Sequence, residues 1–173
     1  EIIAKTRQLL QGTRIFRLPV LVTEQYPKGL GPTDPSVREA AANAQLFEKS
    51  TFSVGAQDGI REQMLRLDRP QVILTGIETH VCVQQTALDL RSRDYDVFVC
   101  ADAVGSRMQT DHDIALARMR QAGIVVTTGE SVLFELCQRC DTQEFKAMIP
   151  IIKTAGDEGT GGRRDEGGRK TPV

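Results

Sequence analysis

Histidine is scarce: the chain of 173 residues has two, His80 and His112. A zinc centre built from several histidines is excluded by that count, and no metal is expected. Cysteine is also scarce, with four residues (Cys82, Cys100, Cys137 and Cys140). A disulfide-stapled secreted domain is shorter and denser in cysteine, so reduced thiols and an intracellular, cytoplasmic setting are expected. No apolar run approaches the roughly 20 residues of a membrane span, and no membrane partner is expected. Neither sign of charge dominates. Lys and Arg number 22 against 23 Asp and Glu, a formal net charge of -1. Such a balance supplies no field for nucleic acid or an acidic membrane. There is no internal repeat and no visible secretory signal. The chain opens inside a helical pattern, which leaves a targeting segment ahead of Glu1 open.

What is present reads as one domain. Hydrophobic residues make up 40% and charged residues 26%, ordinary for a globular chain able to bury a core. Ile2, Ile3, Thr6, Leu9 and Leu10 recur on one face of a helix over Glu1–Gln11. "LPVLVT" (Leu18–Thr23) reads as a short buried parallel strand. "EQYPKGLGPTDP" (Glu24–Pro35) carries three prolines and two glycines and reads as a loop. A short helix over Ser36–Asn43 and a strand within Ala44–Ser53, ending near Lys49, follow. Strands over Gln71–Ile77, Asp96–Ala103 and Ile124–Thr128 then alternate with helices over Asp58–Leu67, Cys82–Ser92, Asp111–Ala122 and Glu130–Cys140. Ile114, Ala115, Met119 and Ala122 mark the expected buried face of the third of those helices. Cys137 and Cys140 form a CxxC with no second pair and no nearby histidine. They are expected on one face of a helix, without zinc or redox work.

This alternation predicts an α/β domain over residues 1–153, a three-layer α/β/α Rossmann-like arrangement with a mostly parallel sheet. Residues 154–173, rich in glycine and charge, are expected to form a disordered tail.

Ligands of open parallel sheets bind beyond the carboxyl ends of the strands. Glu24, Gln25 and Tyr26 follow one such end, Lys49 closes a second, and Glu78, Thr79, His80 and Cys82 follow a third. A cysteine at a helix N-terminus, near a lysine, is in a setting that favours the nucleophilic thiolate. On spacing alone, flanked by Val81 and Val83, Cys82 reads more readily as a small core residue than as a catalyst. His80 reads as a turn residue or as the partner in a Cys–His pair. His112 is expected in solvent, and Asp102 as a cap on the loop Gly105–Arg107. Phe52 and Tyr26 read as pocket walls or as core aromatics.

Five stretches in this order decide between those readings: "LPVLVTEQYPKGLGPT", "FEKSTFSV", "VILTGIETHVCVQQTALDL", "VFVCADAVGSR" and "ALARMRQAGIVVTTGESVLFEL". Together they resemble the isochorismatase-like cysteine hydrolases, which include nicotinamidases and eukaryotic isochorismatase-domain proteins, the latter being the nearer branch. The resemblance runs from Glu1 to about Lys153. It implies a six-stranded sheet of order 3-2-1-4-5-6 and an Asp-Lys-Cys triad, with Cys82 as nucleophile and Lys49 beside it. It also implies a cis peptide between Ile77 and Glu78, and oxyanion donation by the backbone N–H groups of Glu78 and Cys82. The substrate pocket would be lined by Glu24, Gln25, Tyr26, Phe52, Thr79 and His80. No organic cofactor is implied. A small-molecule substrate and a homo-oligomer, dimer or higher, are.

The chain also departs from that family. The family's catalytic Asp ends a first strand that lies outside this sequence, so the sequence is expected to be a fragment. The absent strand would lie between Leu18–Thr23 and Gln71–Ile77, and its loss is expected to expose two strand edges and split the core. Glu24, one strand away, is expected to anchor a loop or line the pocket rather than replace the acid. Gln25 and Pro27 stand where nicotinamidases carry a metal-binding Asp and His. The expected reaction is hydrolysis of a small amide or related C–N bond through a cysteine thioester. The alternatives are an inactive family member that binds a partner, and a thiol redox sensor working through Cys82.

Overall fold

The structure, a computed structural model, describes residues 1–159, with side chains through residue 154. Helix α1 spans Ile2–Ile15, longer than its apolar stripe required, and buries Leu9 and Leu10. Gly12 lets it close on a later helix, since a Cβ there would fall 2.1 Å from Leu133 Cδ2. Strand β1 is Leu21–Gln25, later than Leu18–Thr23. Pro19 has no N–H for a ladder, and Arg17 turns the chain at a φ of 53°. Glu24 and Gln25 are therefore strand residues rather than loop residues.

The segment expected as loop also holds a single helical turn, α2 (Pro27–Leu30). Helix α3 (Pro35–Ala40) starts at a proline, capped by Asp34, whose carboxylate accepts from the N–H groups of Ser36 and Val37. Strand β2 (Gln45–Lys49) pairs with β1 in parallel, with Gln25 opposite Lys49 on the last rung.

Helix α4 (Asp58–Leu67) and strand β3 (Gln71–Ile77) have the expected bounds. Gly76, at a φ of 114°, sits where the β3–β4 register shifts. The helix expected to begin at Cys82 begins earlier and differently. Thr79–Val83 form a π-helical turn, and α5 proper is Gln84–Ser92. Strand β4 (Asp96–Gly105), helix α6 (Gln109–Gln121) and strand β5 (Val125–Thr127) follow.

Ile114 is 62% exposed and Ala122 is exposed, whereas Ala115, Leu116 and Met119 are buried. The buried face of α6 is thus rotated from the expected stripe, with Leu116 taking the place of Ile114. Helix α7 (Gly129–Cys137) stops at Gln138, whose φ is 60°. Cys140 therefore lies in the following turn, exposed, and does not share a helix face with buried Cys137. Helix α8 (Gln143–Gly159) was not legible in the sequence, because Pro150 interrupts its donors. It passes the expected boundary at Lys153, and the remainder of the expected tail, 160–173, lies outside the described residues.

The strands form two parallel sheets, β1–β2 and β3–β4–β5, rather than one. Among the described residues no ladder joins the two. The pleat of β4 sends Val97 and Val99 into a core with Ile60, Leu90 and Met119. Cys100 on the opposite face and, across the register shift that switches faces before Val104, Ala103 enter a second core with Leu9, Leu133 and Met148. Helices α4 to α6 cover the first face and α1, α7 and α8 the second, which is the three-layer α/β/α arrangement. Helix α1 packs on β4 and also on α3. There Arg14 Nη2 donates to Ala40 O at 2.6 Å, a tie between the two sheets' flanks. No described helix is long and apolar enough to cross a membrane.

Candidate active site

Three strand ends converge. Gln25 closes β1, Lys49 closes β2, and the π-helical turn after β3 carries Cys82. Lys49 is 6% exposed. Its ammonium donates to Gln25 Oε1 at 2.5 Å and to the carbonyls of Thr51 and Phe52, both at 3.0 Å, and lies 3.6 Å from Cys82 Sγ. Gln25 Oε1 is itself 3.8 Å from that sulfur. The amide of Gln25 is oriented by its other end, where Nε2 donates to Ser50 O at 3.0 Å. Cys82 is half-buried, and the Ile77–Glu78 peptide before its turn is cis.

The other residues singled out from the sequence take different places. Phe52 contributes its carbonyl, while its ring is 49% exposed. Tyr26 is 60% exposed and lies over Gly29 within its own loop. Glu24 is buried and accepts from Thr33 N at 2.8 Å and Thr33 Oγ1 at 2.7 Å. Those two bonds hold its carboxyl below the usual range, and it anchors the loop without touching Cys82.

Thr79 is wholly buried rather than open to a pocket, and its hydroxyl pairs with His112 Nδ1 at 2.9 Å. His112 is therefore a packed, bonded residue of α6 and not a solvated one. His80 turns away from Cys82, with Nδ1 2.9 Å from Ser106 Oγ and Nε2 4.0 Å from both Glu78 and Asp111. Asp102 caps the start of α7, accepting from Gly129 N at 2.8 Å, instead of the loop Gly105–Arg107.

The sequence reading missed two supports. Asp89 of α5 accepts from Ser53 Oγ at 2.6 Å and from Arg93 Nε at 2.7 Å, and Val54 N donates to Thr86 Oγ1 at 3.2 Å. They tie the Lys49 loop to the helix behind Cys82. The only signal for them was an acid set between Leu88 and Leu90. The second is Arg107, which fastens Glu78.

Burial pushes the Cys100 thiol up to about 12, aided by the charge of Asp102, so it has no thiolate to offer near neutral pH. Among the described residues no three His, Cys, Asp or Glu side chains gather as metal ligands. A cleft of about 470 Å³ lined by Lys5, Asp102, Thr128 and Phe134, among others, includes none of the groups around Cys82. The arrangement at Cys82 is a sulfur facing a buried ammonium at the carboxyl ends of parallel strands.

The family described as Isochorismatase domain matches residues 1–131. The isochorismatase domain-containing protein 1 of Salmo salar is 42% identical over 158 residues, which span 91% of this chain and 56% of that protein. The chain thus spans little more than half the length of that relative. The solved structure of MAR1 ribonuclease from Caenorhabditis elegans superposes with a TM-score of 0.83 at 41% identity, covering 95% of this chain and 85% of that one. The YcaC gene product of Escherichia coli, described as an octameric hydrolase of unknown specificity, gives a TM-score of 0.79 at 25% identity, covering 92% and 83%.

Proposed function

The chain belongs to the isochorismatase family, and on that premise we propose that it is a hydrolase that cleaves a small amide or related C–N bond through Cys82. The observation that carries this reading is the 3.6 Å approach of Lys49 Nζ to Cys82 Sγ. A desolvated ammonium beside a sulfur stabilises the thiolate, the attacking form. Cys82 adds to the carbonyl carbon, and the electron pair of the C=O bond moves to oxygen. The N–H groups of Glu78 and Cys82 are the proposed donors to that oxyanion. The C–N bond then breaks, and the amine leaves with the proton that the Cys82 thiol gave up on becoming the thiolate. Water attacks the resulting thioester, releasing the acid and restoring the thiol. The pocket over the sulfur is proposed to include Gln25 and the carbonyl edge at Phe52.

The chain is also proposed to assemble as a homo-oligomer. The octameric state described for YcaC supports this, as do the exposed Leu30 and Met108 side chains of the described surface. Size-exclusion chromatography with light scattering tests it.

A panel of small amides, assayed with the wild type, Cys82→Ala and Lys49→Met, tests the reaction. Turnover lost in Cys82→Ala and reduced at least 100-fold in Lys49→Met is the expected result. An alkylation rate of Cys82 indifferent to Lys49→Met, with no turnover, favours the binding-protein reading. The description of the Caenorhabditis elegans relative as a ribonuclease motivates a second reading, phosphodiester cleavage. RNA belongs in the same panel, and RNA cleavage lost in Cys82→Ala replaces the amide reading.

A further inference from the structure

Three consecutive residues lead into Val81 and Cys82, and each is tied to the same segment, Ser106–His112. Glu78 accepts from Arg107 N and Arg107 Nε. The Thr79 hydroxyl pairs with His112 Nδ1 at 2.9 Å. His80 Nδ1 pairs with Ser106 Oγ at 2.9 Å, and the His80 N–H donates to the same oxygen at 3.4 Å. Both histidines of the chain thus serve this one seam.

The three ties are not equal. The Arg107 side chain is exposed and that of His80 is half-buried, so water competes for both. Thr79 is wholly buried. Its hydroxyl cannot exchange His112 for water without leaving the core. The Thr79 backbone is committed as well, because its carbonyl accepts from Gln84 N, the π-type bond that loops around Cys82. Thr79 therefore joins α6, through its side chain, to the start of α5, through its backbone. Cys82 lies inside that span, and Lys49 Nζ donates to its sulfur at 3.6 Å from the other sheet.

We propose that His112 is a positioning residue for Cys82: by gripping the buried Thr79 it fixes the π-helical turn on α6 and so sets the distance of the sulfur from Lys49. This rests on the reading of Cys82 as nucleophile and Lys49 as its partner. His112 touches neither the sulfur nor the ammonium. It acts through one hydrogen bond and the turn that follows.

The test is the pH profile of Cys82 alkylation by iodoacetamide, read on the Cys82 peptide by mass spectrometry in a Cys140→Ser background, at a temperature where every variant is folded. The variants are Thr79→Val, His112→Leu, His112→Asn, Lys49→Met and the Thr79→Val/Lys49→Met double. Thr79→Val and His112→Leu are each expected to move the midpoint up by about 0.5–1 pH unit, as the sulfur drifts from the ammonium. His112→Asn, whose amide stands where Nδ1 stood, is expected to keep the parent midpoint. Thr79→Val is expected to add nothing in the Lys49→Met protein, a result that a merely structural role does not give. Should one of the two substitutions fail to fold, the other reads the same bond. Midpoints unchanged in Thr79→Val and His112→Leu but raised in Lys49→Met overturn the inference, while the Cys82–Lys49 reading stands. So does a further rise on adding Thr79→Val to Lys49→Met, or a His112→Asn midpoint as high as that of His112→Leu. A midpoint unchanged in Lys49→Met overturns the inference together with that reading.

Discussion

Arg107 donates twice to one oxygen of Glu78, from its backbone N–H at 3.1 Å and from Nε at 2.8 Å. The β4–α6 loop is thereby fastened to the residue that follows the cis peptide and immediately precedes the turn carrying Cys82. Burial pushes the Glu78 carboxyl up, but the two Arg107 bonds and the Arg107 charge outweigh it, and the group stays below the usual carboxylate range. The Arg107 side chain is 83% exposed, so Arg107→Ala should cost about 1 kcal/mol or less in a thermal melt. Turnover should fall several-fold because the Glu78 turn loses its outer tether. A loss of stability without loss of rate contradicts this role.

Asp89 is the hinge pin of the opposite side. Asp89→Ala removes the acceptor for Ser53 and Arg93 at once, and a cost of about 1.5–3 kcal/mol is expected in urea unfolding. Ser53→Ala leaves the Arg93 bond and should cost less. Equal costs for the two variants would mean that the Arg93 bond contributes nothing.

Glu24 sets a pH dependence with a definite sign. Its carboxyl is held below its ordinary value, first by the Thr33 N–H and then by the Thr33 hydroxyl. The stabilisation is therefore complete above the unfolded value of about 4.3 and is lost as pH falls through the lowered folded value. Thermal midpoints measured from pH 6 to 3 should fall less steeply in Glu24→Gln than in the parent chain.

The face of α6 gives a paired test of packing. Met119 is fully buried and Ile114 is 62% exposed. Met119→Ala should cost about 2–5 kcal/mol, and Ile114→Ala should stay within about 0.5 kcal/mol. Comparable losses at both positions would return the buried stripe to the one read from the sequence.

That stripe shows where sequence reading reaches its limit. Period-3.6 patterning located α6, but an apolar residue on its solvent face is as legible as one in the core. Strands β3 and β4 were legible because their apolar runs leave no other use for Val72–Leu74 or Val97–Val99. Strand β1 shifted because Pro19 forbids a ladder bond that hydrophobicity alone would allow. Helix α8 stayed hidden behind Pro150.

At the site, the pairing of Cys82 with Lys49 was legible only through the five matching stretches, since they are separated by 33 positions. The partners of His112, Asp89 and Arg107 were not legible. Each depends on how two elements dock, and no local pattern records that.

The sulfur and the ammonium stand on different sheets that share no ladder. Their separation is set by whatever docks one half of the molecule on the other: the Ser53–Asp89 and Val54–Thr86 bonds, and α1 reaching across to α3. The pair is thus a gauge of alignment. A slip of an ångström or two between the halves leaves every hydrogen bond within each sheet intact and still takes the charge out of reach of the thiol. Alkylation of Cys82 therefore reads the docking of the two halves as directly as it reads the chemistry.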